Sequence, residues 1–159
     1  MIQVRARRAA VGSNGRMGRE IDDERAGRQP AAALPLVYSC SGCSSAAQMA
    51  NRMALWLDAE RLAEMSCIAG VGGGVEALVR TARSGRPIVA LDGCVLHCSR
   101  ACLANAGVTP DLHFTLSEFG VRKRRHRAFD EAEAQRVLAT EIVPRIHSLQ
   151  APEDDGHAD

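Results

Sequence analysis

Three cysteines between residues 94 and 102 are spaced so that they could share one helix face. Cys94, Cys98 and Cys102 are each four residues apart, and at about 100° per residue they fall within roughly 80° of one another. Cys94 would begin this helix, where the helix dipole and free backbone N–H groups favour a thiolate. Thiolates bind soft metals and take part in redox chemistry. The alternative is that these cysteines only pack a helix against a sheet.

Two further cysteines are predicted at the same edge of a sheet as Cys94. Cys40 ends an apolar run, Cys67 lies toward the end of a second run (residues 65–69), and Cys94 follows a third. The carboxyl ends of parallel strands lie at one edge of a sheet. Separations of 27 residues match successive strand–helix units rather than a zinc finger. Topology is therefore expected to bring Cys40, Cys67 and Cys94 together.

The elements that must position these thiols alternate regularly along residues 34–150. A helix with a continuous apolar stripe follows a Ser44 or Ser45 cap, and Asp130 with Glu133 is a capping pattern for a last helix interrupted at Pro144. Short strands alternating with helices predict an α/β fold, a single three-layer domain with a mostly parallel sheet of about four strands, flavodoxin- or Rossmann-like. The predicted strands cover residues 34–38, 65–69, 87–91 and 112–116, and the predicted helices cover residues 46–57, 75–83, 94–106 and 131–148.

Composition limits the function classes. The chain has 159 residues, enough for one domain. A formal charge of +1 argues against a dedicated nucleic-acid binder, so the basic run 122–127 is expected to be a solvated loop. No stretch is apolar enough for a membrane span or a signal peptide, which places the protein in the cytoplasm. Six cysteines in that reducing compartment indicate metal ligands or redox groups rather than structural disulfides.

Both ends of the chain differ in character from the middle. Residues 1–33 have no apolar periodicity and are expected to form a poorly ordered arm, and residues 151–159 an acidic tail. The segment Gly12–Gly18 is similar to the phosphate turn of dinucleotide-binding enzymes, but no buried strand precedes it and no amphipathic helix follows. The nucleotide interpretation is therefore disfavoured.

Three blocks of sequence resemble a known family. They are Tyr38-Ser39-Cys40-Ser41-Gly42, Cys67-Ile68-Ala69-Gly70-Val71-Gly72-Gly73 and Asp92-Gly93-Cys94-x-x-x-Cys98. In this order they resemble the DGC domain family, which is described as zinc-binding and has no known cellular function. The resemblance extends over about residues 34–148. It implies that the metal ligands are Cys40, Cys67, Cys94 and Cys98, with Cys43 and Cys102 outside the set.

Two functions follow from these cysteines. Four thiolates suit tetrahedral zinc, while an iron–sulfur cluster or another soft metal is the alternative cofactor. The first function is metal binding for sensing, carriage or homeostasis. The second is thiol–disulfide redox or transfer chemistry with the pairs Cys40/Cys43 and Cys94/Cys98. No acid–base pair or activated nucleophile is visible, which disfavours an enzyme. Asp92 is interpreted as a helix cap and His97 as an exposed helix residue.

Overall fold

The computed structural model describes residues 33–150, which are organised around a parallel sheet of four strands. In chain order the strands are β1 (Leu36–Ser39), β2 (Glu64–Met65), β3 (Ile88–Asp92) and β4 (Leu112–Thr115). Their order across the sheet is β2-β1-β3-β4, and every pair is parallel. All residues of β1 and β3 are buried, as expected of central strands covered on both faces. The predicted α/β fold with a four-stranded parallel sheet is confirmed.

The first helix, α1 (Ser45–Ala59), covers one face of the sheet. Its N-terminus is capped by Ser44, whose Oγ accepts a hydrogen bond from Ala47 N at 3.4 Å. The whole predicted apolar stripe is buried, including Met49 and Met53. These methionines are therefore core residues, as the helical spacing predicts.

Helices lie on both faces of the sheet, which gives the predicted three layers. On the face of α1 lie α5 (Glu131–Val137) and α6 (Val143–Gln150), joined by a π-turn at Leu138–Ile142. Pro144 follows this turn and has no N–H for the helix ladder, which accounts for the predicted interruption. The other face is covered by α2 (Ile68–Gly72), α3 (Glu76–Ala82) and α4 (Cys98–Asn105).

The second strand and the glycine turn differ from prediction. β2 ends at Met65, and the predicted strand residues Ile68 and Ala69 begin α2 instead. Helical geometry lets Val71 pack against the apolar cluster beneath α3 and α4. Cys67 is consequently the N-cap residue of α2, just beyond the strand.

The cysteine helix also starts later than predicted. α4 begins at Cys98, so Cys94 lies in the preceding turn, residues 93–97, called here the cysteine turn. The reason is that His97 adopts a left-handed conformation, with φ of 49°, which interrupts a helix before Cys98. The prediction that Cys94, Cys98 and Cys102 share one helix face is therefore wrong, because only Cys98 and Cys102 belong to the helix.

Three predictions fall outside the described residues. These are the N-terminal arm apart from Ala33, the Gly12–Gly18 motif within it, and the acidic tail of residues 151–159. Between residues 33 and 150, no helix has both the length and the apolar character needed to cross a membrane.

Candidate metal centre

Cys40 lies at the carboxyl end of β1 and is held against β3. Its backbone N–H donates to Leu91 O at 2.9 Å, and its sulfur accepts a hydrogen bond from Gly93 N at 3.1 Å. The residue is only 8% exposed. Burial is the main reason that the pKa of Cys40 is raised to about 11, and the hydrogen bond from Gly93 opposes this only in part. Without a metal, Cys40 is therefore a protonated thiol at neutral pH.

Three of the four candidate ligands share one neighbourhood. The negative charges of Asp92, Cys98 and Cys94 also raise the pKa of Cys40, in that order of size. Cys94 is half-buried and Cys98 is exposed. The carboxyl edge of the sheet thus brings together Cys40, Cys94 and Cys98. Among residues 33–150, however, no three Cys, His, Asp or Glu side chains are already arranged to hold a metal ion.

Asp92, the last residue of β3, fixes the cysteine turn to the start of α4. It is 1% exposed, and its carboxylate accepts hydrogen bonds from Ser99 N at 2.8 Å and Arg100 N at 3.2 Å. These are free N–H groups of the first turn of α4, so the predicted capping role is confirmed. His113 Nε2 on β4 lies 3.0 Å from the same carboxylate. The sequence alone indicates no role for His113, because its contact with Asp92 joins two strands 21 residues apart.

His97 is not the exposed helix residue that the sequence predicts. It precedes α4 and is half-buried, with its ring edge-on to that of His113 at 4.9 Å. Arg100 Nη2 donates to His97 Nδ1 at 2.6 Å, and a guanidinium can only donate. His97 Nε2 must then carry the proton and donate to Thr115 Oγ1 at 3.1 Å. Both ring nitrogens are engaged, so neither is free to ligate a metal.

Gly93 allows the cysteine turn to approach α1. A Cβ atom at Gly93 would lie 2.5 Å from both C and O of Ala46 and 2.7 Å from Ala47 N. These are backbone atoms that cannot move aside. The Asp-Gly-Cys sequence therefore has a physical basis, with a cap at Asp92, a close approach at Gly93 and a thiol at Cys94.

The remaining cysteines are placed differently. Cys67 and Cys43 are exposed. Cys102 packs against α2, since a Cβ at Gly72 would lie 2.8 Å from its sulfur. Burial raises the pKa of Cys102, with smaller contributions from the charges of Cys98 and Asp92. Cys67 lies two residues beyond the end of β2 and is the exposed N-cap residue of α2. Its charge is not among those that raise the pKa of Cys40, so its predicted meeting with Cys40 and Cys94 stays a prediction.

Tyr38 lies in the core below Cys67. Its hydroxyl is buried and finds no hydrogen-bond partner of standard geometry among the described residues, and the nearest polar side chain that acts on it is Ser66. Burial raises the pKa of Tyr38, and the charge of Cys67 adds to this effect while Ser66 opposes it. A buried donor without an acceptor is costly, so this hydroxyl requires an explanation.

A basic loop, defined as residues 122–127, borders the cysteine turn. Lys123 Nζ lies 3.4 Å from Cys94 Sγ. The six residues of the loop are exposed, which confirms a solvated loop. Its contact with Cys94 was not predicted, because 28 residues separate the two in the sequence and no local pattern links them.

Two features define the class of protein. The chain forms a three-layer α/β domain with thiols at the carboxyl edge of its sheet, and an Asp-Gly-Cys turn lies at the centre of that edge. Residues 36–140 match the DGC domain, and the chain belongs to the DGC domain family. It is 62% identical over 111 residues to the anaerobic and virulence modulator AnvM of Pseudomonas aeruginosa. That alignment covers 70% of this chain and 85% of AnvM. No solved structure matches the chain.

Proposed function

We propose that this DGC-domain protein is a regulatory protein that binds a thiophilic metal ion, zinc in the first place. The ligands are Cys40, Cys94 and Cys98, completed by Cys67. The observation that supports this most directly is the convergence of the first three thiols at the carboxyl edge of the sheet, where Cys94 and Cys98 are close enough to raise the pKa of Cys40.

The donor set fits zinc in its chemistry. Thiolates are the ligands that zinc prefers in structural sites, and a bound zinc ion would cross-link the segments that supply them. Cys40 is held at the end of β1 and Cys94 lies on the turn fixed by Asp92, whereas Cys67 lies at the exposed start of α2 and would move to join them. The unpartnered hydroxyl of Tyr38 supports this movement, since a metal-bound Cys67 sulfur would offer it an acceptor.

A regulatory role suits a site of four thiolates better than catalysis does. Four protein ligands leave zinc no open position for a substrate or a reactive water. The similar protein AnvM is named an anaerobic and virulence modulator. Thiolate ligands bind metal only when reduced, so occupancy of such a site depends on the redox conditions of the cell.

The test is a zinc titration of the full-length chain, purified without oxygen, against a chromophoric chelator. Serine substitution at position 40, 67, 94 or 98 is expected to weaken zinc binding by about tenfold or more, in the range seen when the support of a metal site is lost. Cys43→Ser and Cys102→Ser serve as matched controls and should have much smaller effects. Loss of binding in either control, with Cys67→Ser unchanged, would refute this ligand set. Tighter binding of Cu(I) or of an iron–sulfur cluster would keep the site and change its metal.

A thiol–disulfide function is the second candidate, and one contact favours it. Lys123 Nζ donates to Cys94 Sγ at 3.4 Å, and Cys98 nearby is exposed to reaction partners. The pair Cys40/Cys43 is less suited, because burial raises the pKa of Cys40 to about 11. A Cys94–Cys98 disulfide in acid-quenched, metal-free protein would support this candidate over zinc binding.

A further inference from the structure

The cysteine turn presents two adjacent apolar side chains to solvent. Val95 is 71% exposed and Leu96 is 66% exposed. The turn cannot readily fold them away, because it is tied to the core through Asp92 and packs at Gly93 against α1. Apolar side chains held in water in this way give a partner surface to bury.

The basic loop adds a dense positive charge beside these side chains. Its five cations are Arg122, Lys123, Arg124, Arg125 and Arg127, and it meets the turn where Lys123 contacts Cys94. None of the five has a carboxylate of residues 33–150 within salt-bridge distance. Four arginines elsewhere in the domain do have such partners: Arg52, Arg80, Arg86 and Arg145. Within residues 33–150, the charge of the loop is therefore left for a partner.

The loop is held in place by its backbone. Ser45 N donates to Arg124 O at 2.9 Å, Arg124 N donates to Ser45 Oγ at 3.0 Å, and Ser45 Oγ donates to Arg122 O at 3.3 Å. The start of α1 thus fixes the path of the loop while its side chains extend into solvent. A surface that is already ordered loses less conformational entropy when it binds.

We propose that the cysteine turn and the basic loop together form a docking surface for an acidic segment of a partner protein, one in which carboxylates alternate with apolar side chains. The carboxylates pair with the loop cations, and the apolar side chains cover Val95 and Leu96. A nucleic-acid backbone would use the cations alone and leave the apolar pair in water. This inference goes beyond metal binding and does not require it.

Selection of a random displayed peptide library on the full-length chain tests this surface. We expect the enriched peptides to combine Asp or Glu with Leu, Ile or Phe. A labelled peptide of that consensus should bind Leu96→Ser and Arg127→Glu about tenfold more weakly than the unsubstituted chain. Leu55→Ser and Arg61→Glu are the matched controls, since both residues are exposed and lie on or just beyond α1, away from the loop. Binding to the controls should not change.

Three results would overturn the proposal. The first is the absence of an acidic and apolar consensus, or a consensus peptide that binds the Leu96→Ser and Arg127→Glu variants as well as it binds the unsubstituted chain. The second is a labelled DNA duplex that binds more tightly than the peptide and is unaffected by Leu96→Ser. The third is a dimer in sedimentation velocity that Leu96→Ser dissociates, because the apolar pair would then belong to a contact between two copies of the chain. All three readouts are independent of zinc, so failure here leaves the metal proposal standing.

Discussion

The two turns that supply the candidate ligands differ in how firmly the fold holds them. The turn after β3 is anchored by Asp92, which accepts two N–H groups of α4 and faces His113. The turn after β2 is held through its backbone, where Met65 N donates to Asp58 Oδ1 and Ser66 N donates to Val37 O. Its cysteine, the exposed N-cap residue Cys67, makes no side-chain capping hydrogen bond to α2. A buried carboxylate therefore fixes the helix start in one turn, and the other turn lacks such a group at Cys67.

This difference suggests a division of roles within the site. Cys40, Cys94 and Cys98 lie on segments fixed by β1, β3 and Asp92, and in the proposed site they would make the first contacts with the metal ion. Recruitment of Cys67 as the fourth ligand would then couple metal binding to the position of α2. Such a movement gives a regulatory protein two states, which a fully preformed site would not provide.

The largest effect is expected from removing the anchor. Asp92→Ala leaves Ser99 N, Arg100 N and the His113 ring without their buried acceptor, and we expect a loss of about 3–5 kcal/mol in the free energy of unfolding. Denaturant titration of the metal-free chain measures it. Asp130→Ala is the control, because Asp130 caps α5 at an exposed position by accepting from Glu133 N, and should cost about 1 kcal/mol. Equal losses in the two variants would mean that Asp92 is only an ordinary cap.

A second pair of substitutions compares two glycines that lie close to a neighbouring element, Gly93 in the cysteine turn and Gly70 in α2. Gly93→Ala places a Cβ 2.5 Å from backbone atoms of Ala46, whereas Gly70→Ala meets only the end of the Leu78 side chain. Backbone cannot yield and a leucine can change rotamer, so Gly93→Ala should cost about 3 kcal/mol and Gly70→Ala about 1 kcal/mol in unfolding free energy. A larger loss for Gly70→Ala would show that the packing of α2 against α3 is more constrained than the turn after β3.

The sequence predicted what depends on periodicity. Alternating apolar runs defined the strands, the spacing of the α1 stripe defined its buried face, and Asp130 was found from its capping pattern. The ends of the predicted parallel strands placed the thiols of Cys40 and Cys94 at the carboxyl edge. In every parallel sheet the carboxyl ends of the strands share one edge, so the positions of these two thiols could be predicted without knowledge of side-chain contacts.

Contacts between distant residues set the features that the sequence could not predict. α4 begins at Cys98 because His97 is left-handed and because Asp92, six residues before Cys98, caps the helix. These two contacts decide where the helix starts, although the spacing of the three cysteines favours an earlier start. The contact between Lys123 and Cys94 depends on Ser45 pinning the basic loop. None of these pairs is local on a helix or strand, so no periodicity in the sequence reports them.

A third prediction uses the burial of Cys40. Its pKa is raised from 9.0 to about 11, so above pH 9 the unfolded chain loses this proton while the folded chain keeps it. The free energy of unfolding of metal-free protein should therefore fall between pH 9 and pH 11, by on the order of 2 kcal/mol. Cys40→Ala should abolish this part of the pH dependence. Cys43→Ala, at an exposed thiol, should leave it intact, and a similar change in both variants would contradict the assignment.

The smallest expected effect concerns Tyr38. It tests whether Cys67, in the turn after β2, moves toward the other proposed ligands when metal binds. Without metal, its hydroxyl is a buried donor that has no acceptor within the described part of the chain, so Tyr38→Phe should leave stability unchanged or raise it by up to about 1 kcal/mol. With metal, a Cys67 thiolate that has moved inward would accept from this hydroxyl, and Tyr38→Phe should weaken zinc binding a few-fold. The decisive measurement is a double-mutant cycle. In the Cys67→Ser background, Tyr38→Phe should have no further effect on zinc affinity. If it weakens binding equally in both backgrounds, the hydroxyl acts elsewhere and the turn after β2 does not move toward the site.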